Sequence, residues 1–194
     1  GTKAAIGGNG SLQDSPLQEG AFLLCGASGN NEPLVAGVEI ATQDGVKYAF
    51  HVWKPDGTPK SSGAALLFFI LSQGSPFNWI FIPYSTPGLA AGQVSAGGGY
   101  VTGTANYTMP VSTTPGRYHI DIPSFGKDLS QGTVLVTAAD RDPRCLITYS
   151  FPAEGGIDIT ATRLPLTGTP TPSPCGFFFA YIPHDRMQFG PGTE

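Results

Sequence analysis

The stretch RYHIDI at residues 117–122 decides the fold class of this chain. Its apolar side chains, Tyr118, Ile120 and Ile122, alternate with polar ones, and a period of two is that of a β-strand with one buried face. A helix would instead place its apolar residues three or four positions apart. The stretch therefore predicts a half-buried strand.

Short segments of the same kind occur on both sides of it, at the spacing typical of β-sandwiches. Residues 64–71 are ambiguous because Ala and Leu also suit a helix, but their short length and the flanking Gly63 and Gly74 favour a strand, in a hairpin with residues 77–82. The Gly- and Ala-rich residues 83–99 are expected to be a connection. The sequence therefore predicts an all-β fold, an antiparallel β-sandwich or jelly roll of about ten strands. Besides residues 117–122, strands are expected at residues 21–25, 34–41, 46–53, 64–71, 77–82, 100–109, 133–138, 145–151, 156–163 and 176–182.

The composition agrees with one ordered, turn-rich domain. The 194 residues include 27 Gly and 18 Pro, which connect short elements, and 12 Phe, 7 Tyr and 2 Trp, which supply the apolar area that a disordered chain lacks. We expect a loose arm at residues 1–20, a single β-sandwich domain at residues 21–183 and a tail at residues 184–194. Only 12% of the residues are charged, as on many secreted and capsid proteins. This composition favours an extracellular or virion-surface location.

Charge and hydropathy argue against two kinds of partner. The ten Lys and Arg are spread along a chain of net charge −4, whereas nucleic-acid binding requires basic residues on one face that neutralise phosphates. The longest apolar runs, residues 64–71 and 77–82, are far shorter than the ~20 residues that span a bilayer. We expect neither nucleic-acid binding nor a membrane span.

Three cysteines, Cys25, Cys145 and Cys175, give an odd count. No two of them have C-x-x-C spacing, so neither a zinc site nor a thioredoxin-like motif is indicated. If a disulfide forms, Cys145–Cys175 is favoured because each residue opens an expected strand after a proline-containing loop. Buried thiols that act as small apolar side chains are the alternative, and the sequence leaves both open.

Residue types suited to catalysis or metal binding are present but not clustered. The chain has no G-x-S-x-G motif, and His51, His119 and His184 lie far apart in sequence. We expect His119 to be an exposed histidine in a cross-strand charge pattern. The loop DRDPR at residues 140–144 has two carboxylates at a spacing found in calcium loops, but its two arginines favour a self-paired turn. The sequence predicts no catalytic residue, no metal and no cofactor.

Binding has more support than catalysis. Trp53 falls on the face of its strand opposite the core-facing side chains, so its indole is a candidate platform for a sugar or a protein partner. Cover by a second sheet or a neighbouring subunit is the alternative. His51 shares that face, and Tyr84 and Tyr100 complete the candidate binding residues. Trp79 is expected in the core.

Three consecutive phenylalanines at residues 177–179 place large rings on both faces of one strand. Such a strand is central to two layers, or it lies at an oligomer contact. From this feature we expect a homo-oligomer, a dimer or a trimer.

The stretch GRYHIDIP at residues 116–123, with the strands after it, resembles the β-sandwich tip modules of phage tail fibres and of bacterial collagen-like surface proteins. The low-charge, Thr-, Pro- and Gly-rich character also resembles the protruding domains of viral capsids. The resemblance covers the C-terminal half of the chain and transfers no functional residue. It implies dimeric or trimeric assembly and attachment to a host surface.

The expected function is therefore that of a non-catalytic attachment or structural module on a virion, a phage fibre or a secreted surface protein, which binds a host receptor or a glycan. A secreted carbohydrate-binding domain or polysaccharide-active enzyme is the alternative, since Trp53 and scattered carboxylates suit it. An intracellular β-domain with an unknown partner is a third possibility, which reduced cysteines after aerobic purification would favour.

Overall fold

The alternating segments of the sequence form strands. The computed structural model describes residues 19–26, 33–41, 47–58, 77–110, 112, 114–165 and 171–186, and within them the regular structure is all-β, with short 3-10 turns at Pro123–Phe125 and His184–Arg186. The strands described are β1 (Gly20–Gly26), β2 (Val35–Ala41), β3 (Lys47–Trp53), β4 (Phe77–Pro83), β5 (Ala90–Val94), β6 (Tyr100–Gly103), β7 (Arg117–Ile120), β8 (Gly132–Asp140), β9 (Cys145–Ser150), β10 (Ile157–Arg163) and β11 (Phe177–Pro183).

These strands form a sandwich of three sheets. The central sheet has six strands in the order β3-β2-β8-β11-β5-β6, a second sheet has the order β7-β10-β9, and β1 pairs with β4. Every pair is antiparallel except β2 and β8, which run parallel. This parallel pair departs from the purely antiparallel pattern expected. It arises because β2 and β8 are far apart in sequence, so no hairpin fixes their relative direction.

Strand β11 lies between two layers and is apolar on both faces. Phe177, Phe179 and Tyr181 pack in the main core, between the central sheet and the three-stranded sheet. Phe178 and Ala180 point to the opposite face and pack in a second core beneath β1 and β4. Burial on two faces accounts for the three consecutive phenylalanines, as the first of the two interpretations predicts. The homo-oligomer stays a prediction.

Two strands differ by more than two residues from the sequence prediction. β5 lies within residues 83–99, which were expected to be a connection. The strand was missed because its residues are mostly small and show no alternation of apolar and polar side chains. Gly92 faces the Tyr107 hydroxyl so closely that a Cβ atom would collide with it. β6 ends at Gly103 and not at residue 109, because a turn follows in which the Thr104 hydroxyl donates to Asn106 Oδ1 (2.6 Å). Packing against a neighbour, and not β-propensity, therefore sets the composition of β5.

Strand β4 pairs with β1, with Phe22 opposite Phe81. Its expected hairpin partner, residues 64–71, lies outside the described residues. So do most of the expected N-terminal arm and C-terminal tail, although Gly20, the last residue of that arm, begins β1. Among the residues described, no helix is long and apolar enough to cross a membrane.

Candidate binding groove

The tight turn between β5 and β6 forms one wall of an open groove. The N–H of Ser95 donates to the carbonyl oxygen of Gly99 (2.9 Å), and the N–H of Gly98 donates to that of Ser95 (2.9 Å). The N–H of Gly99 also donates to the Ser95 hydroxyl oxygen (3.0 Å). Gly98 has a φ of 81°, in the left-handed region that glycine occupies without strain. Because residues 97–99 are all glycine, the turn has no side chains of its own there and exposes backbone at Gly97 and Gly99, while the Tyr118 ring lies beside Gly98.

Tyr100, the first residue of β6, stands beside this turn. Its side chain is 55% exposed, and its ring centroid lies 5.4 Å from that of Tyr107. The Tyr100 hydroxyl donates to the carbonyl oxygen of Gly103 (3.1 Å). The ring is therefore held at two points while much of its surface faces solvent.

Tyr107 connects this exposed ring to the main core. It is only 5% exposed, and its ring meets the Phe179 ring edge-on, with centroids 4.8 Å apart at 89°. Its hydroxyl donates to the carbonyl oxygen of Thr102 (3.2 Å). Burial, with a smaller contribution from Tyr100, raises the pKa of Tyr107 far above its usual value, so the ring stays neutral. The central strand thus fixes the position of Tyr100 through Tyr107.

The resulting cavity, here called the tyrosine groove, has a volume of about 410 Å³. It offers ring faces, a thioether, a hydroxyl and bare peptide groups, and no charged side chain among the described residues that line it. Such a surface suits a neutral ligand with both apolar and hydroxyl-bearing faces. The lining residues are Gly97, Gly98, Gly99, Tyr100, Tyr107, Thr108 and Met109.

A more polar pocket of about 320 Å³ adjoins the tyrosine groove, and Gly97 lines both. Ser112, Thr114 and Arg117 are among its lining residues. Arg117 is exposed, and no carboxylate in the described part of the chain forms an ion pair with it. A ligand that extends from the groove past Gly97 would meet this cation.

Trp53 is not an exposed platform. It is 6% exposed and packs with Val35 and Leu164, so the alternative interpretation, cover by another layer, is the one the structure shows. Its ring stacks on His51, with centroids 5.4 Å apart at 22°. His51 is partly buried, and its Nε2 lies 2.8 Å from Glu39 Oε2. These two candidate binding residues form one packed cluster between β2 and β3.

Trp79, expected in the core, is 42% exposed instead. Ile80 beside it is also exposed, whereas Ile82 is buried, so β4 contributes to the core at Ile82 and not at residues 79 and 80. Trp79 and Ile80 line an apolar groove of about 390 Å³ with residues of β1 and β8. The sequence pattern of β4 could not predict this exposure, because it does not show which part of a strand another layer covers.

The other two candidate binding residues lie in different places. Tyr84 follows β4, packs partly buried against the second core, and its N–H donates to the carbonyl oxygen of Glu19 (2.6 Å). Tyr100 lies in the tyrosine groove. Of the predicted binding residues, Tyr100 is thus the one that presents an exposed aromatic ring in a cavity.

His119 takes part in a cross-strand charge pattern, as the sequence predicts, but it is partly buried and not exposed as expected. Its Nδ1 lies 2.7 Å from Asp158 Oδ1 on the neighbouring strand, and its Nε2 lies 3.1 Å from Asp121 Oδ1. Partial burial lowers the pKa of His119, but the hydrogen bonds to the two carboxylates outweigh this effect and raise it overall. Because both ring nitrogens are engaged, neither is available as a general base.

The loop at residues 140–144 is the self-paired turn expected. Arg144 binds Asp142 through two hydrogen bonds of 2.8 and 2.9 Å, and Arg163 adds a contact of 2.7 Å that the sequence did not reveal. The hydrogen bond from Arg144 is the main factor that lowers the pKa of Asp142. No group of three or more potential metal ligands occurs among the residues described.

Cys145 and Cys175 are both fully buried in the main core, and neither forms a disulfide. The Cys175 thiol is the main factor that lowers the pKa of Cys145. The Cys145 thiol, together with burial, raises the pKa of Cys175. The structure thus brings together the pair that the sequence favours, and Cys25 is exposed elsewhere.

Sequence reasoning missed Tyr107 and the glycines of the groove. A signal was present, since three consecutive glycines precede an aromatic residue at 100. Tyr107 gave no such signal, because its contact with Phe179 joins residues far apart in the chain.

Comparisons with known proteins add no relative: no protein-family model, no curated protein and no solved structure matches this chain.

Proposed function

We propose that this chain is a non-catalytic attachment module that binds a glycan in the tyrosine groove. The observation that carries the proposal is the exposed, positioned ring of Tyr100 beside the bare glycine turn. A pyranose has an apolar C–H face that packs on an aromatic ring and hydroxyls that bond to polar groups around it. Glycines permit the close approach of a ligand to the backbone, and a tyrosine ring offers a large, rigid contact.

The groove suits binding better than hydrolysis. A glycoside hydrolase requires two carboxyl groups about 5–10 Å apart across the scissile bond. The described residues that line the groove include no Asp or Glu. Other carboxylates already serve the fold: Asp56 and Asp128 accept hydrogen bonds from Thr58 and Ser130 in turns. The alternative of a secreted carbohydrate-binding domain uses the same groove, whereas the polysaccharide-active enzyme has no support from it.

An attachment module acts at an outer surface, so the proposal includes an extracellular or virion-surface location, on a virion, a phage fibre or a secreted protein. It also includes assembly as a homodimer or homotrimer, which presents several grooves at once and raises avidity for a multivalent surface. The partner is a glycan or glycan-bearing receptor of a host surface.

The test is a glycan-array screen of the full chain, followed by affinity measurements on the ligands found. Tyr100→Ala should weaken binding about tenfold or more, because truncation of an aromatic contact at the centre of a site costs more than about 1 kcal/mol. Tyr100→Phe should keep most of the affinity, since the ring face remains. Tyr149→Ala removes another exposed tyrosine, on β9 and outside the groove, and should leave binding unchanged.

Sedimentation of the same samples tests assembly, with a dimer or trimer expected. A strict monomer that binds no glycan and no cell surface would contradict the proposed function. Glycan binding that Tyr100→Ala and Tyr149→Ala affect equally would contradict the placement of the site.

A further inference from the structure

Two buried cysteines meet in the main core. Cys145 opens β9, Cys175 precedes β11, and both belong to the same cluster of buried side chains. Each thiol is the main influence on the pKa of the other, as expected of neighbours. A disulfide requires Cβ atoms about 4 Å apart. Hydrogen bonds made by Arg163 and Tyr118 hold the two cysteine-bearing segments together at this point of the core.

Arg163 binds a residue that precedes each of the two cysteines in the sequence. Its Nη1 lies 2.7 Å from Oδ2 of Asp142, which precedes Cys145, and its Nη2 donates to the carbonyl oxygen of Pro174 (3.4 Å), immediately before Cys175. Arg163 is also the residue opposite Cys145 in the β9–β10 pair. One side chain thus fixes the two cysteine-bearing segments relative to each other.

A second set of contacts fixes Cys175 from the other side. Its N–H donates to the Tyr118 hydroxyl oxygen (3.0 Å), and the N–H of Gly176 donates to Asp140 Oδ2 (3.0 Å). The carbonyl oxygen of Gly176 accepts a hydrogen bond from the N–H of Ala139 (2.7 Å). These contacts join the segment around Cys175 to β7 and to the end of β8, the strand that precedes Cys145 in the chain.

We propose that Cys145 and Cys175 are a disulfide site, which closes by exchange with a small-molecule disulfide such as oxidised glutathione while the chain folds. One cysteine thiolate attacks a sulfur of the oxidant, which breaks the S–S bond of the oxidant, releases one thiolate and leaves a mixed disulfide. The second cysteine loses its proton to solvent and attacks the protein sulfur of the mixed disulfide. The protein disulfide forms and a second small thiolate leaves. Two protein thiols are oxidised, and one small disulfide is reduced to two thiols.

The bond would close a loop that contains β9, β10 and the chain leading to β11. A crosslink restricts the unfolded chain more than the folded one, so it stabilises the fold. For a loop of this length in a chain of this size, the expected rise in Tm is about 10 °C. The proposal does not depend on glycan binding.

The experiment is a peptide map of the full chain after treatment with oxidised glutathione during refolding. Remaining thiols are alkylated before the protein is digested with trypsin without reductant. Cleavage after Lys and Arg separates the three cysteines into the peptides 4–47, 145–163 and 164–186. We expect 145–163 linked to 164–186, an alkylated Cys25, and a Tm that falls by about 10 °C on reduction.

Two variants separate this bond from other thiol chemistry. Cys25→Ser should leave the linked peptides unchanged. Cys175→Ser should yield alkylated Cys145 and a Tm that no longer responds to reductant. A link that involves peptide 4–47, or recovery of all three cysteines alkylated, would overturn the proposal, and the second result would favour an intracellular protein.

Discussion

Trp53 is buried where the β2–β3 pair meets the residue that follows β10. It lies opposite Val35 in the β2–β3 pair, packs on Leu164 beyond the end of β10, and stacks on His51. Gly37 leaves room for it, because a Cβ atom there would lie 3.1 Å from Trp53 Cζ3. Since the indole is buried between elements of two sheets, its removal leaves a cavity that these elements cannot easily fill.

The two tryptophans therefore provide a matched pair of substitutions. Trp53→Ala should lower the free energy of unfolding by about 3–5 kcal/mol, through lost burial and the cavity left behind. Trp79→Ala removes the same atoms from a side chain that is 42% exposed and should cost at most about half as much. Urea unfolding monitored by circular dichroism measures both. Equal losses would contradict the burial assigned to the two residues.

The β5–β6 hairpin depends on a close contact between a glycine and a tyrosine. Gly92 of β5 lies opposite Gly103 of β6, and a Cβ atom at either position would crowd the Tyr107 hydroxyl. Tyr107 cannot move away freely because its ring packs on Phe179. A side chain at residue 92 would therefore displace the ring that supports Tyr100.

Gly92→Ala should accordingly destabilise the fold by about 1–3 kcal/mol, the usual cost of overpacking, and weaken glycan binding. Gly97→Ala is the matched control. The nearest atom to its added Cβ would be the Ser95 hydroxyl oxygen, 3.9 Å away, so a change of less than about 0.5 kcal/mol is expected. Thermal unfolding of the two variants gives the comparison.

A second substitution tests the assigned contact directly. Adding Tyr107→Phe to Gly92→Ala removes the hydroxyl and should restore part of the lost stability, as a double-mutant cycle would show. Full additivity of the two substitutions would rule out the contact as the cause.

Most of the strands could be predicted from the sequence, because alternation along a strand with one buried face is a local signal. The segments that became β7 and β10 show this. The parts missed depend on contacts between distant residues. β5 was missed because Tyr107 excludes a side chain at residue 92, and the burial of Trp53 depends on Leu164, which follows a strand of another sheet. Tyr100 was identified as a candidate, but the ring beneath it was not.

At the scale of the whole molecule, charged side chains near the surface form ion pairs, and two groups of these pairs make stability depend on pH. In the first, Arg144 and Arg163 surround Asp142 and lower its pKa, the hydrogen bond from Arg144 having the largest effect. A lowered carboxyl pKa stabilises the fold above about pH 4 and loses that contribution as the pH falls. In the second, Asp158 and Asp121 raise the pKa of His119 against the effect of burial.

The His119 contribution has the opposite sign. A histidine whose pKa is raised in the folded state stabilises the fold fully below its unfolded pKa of about 6.5 and loses that contribution as the pH rises through the folded value. Combined with the Asp142 contribution, this predicts a stability maximum on the acid side of neutrality. His119→Gln should therefore cost more stability at about pH 5.5 than at about pH 8.5, by up to about 1 kcal/mol for such a partly exposed pair.

Urea unfolding of wild type and variant at both pH values measures this difference, and the subtraction cancels groups common to both proteins. His184→Gln is the control, because Nε2 of His184 lies 3.3 Å from the Thr133 hydroxyl oxygen and no carboxylate in the described part of the chain forms an ion pair with it. Its cost should be the same at both pH values. If His119→Gln also costs the same at both, the two carboxylates do not bind a protonated imidazole, and the acid-side maximum must arise elsewhere.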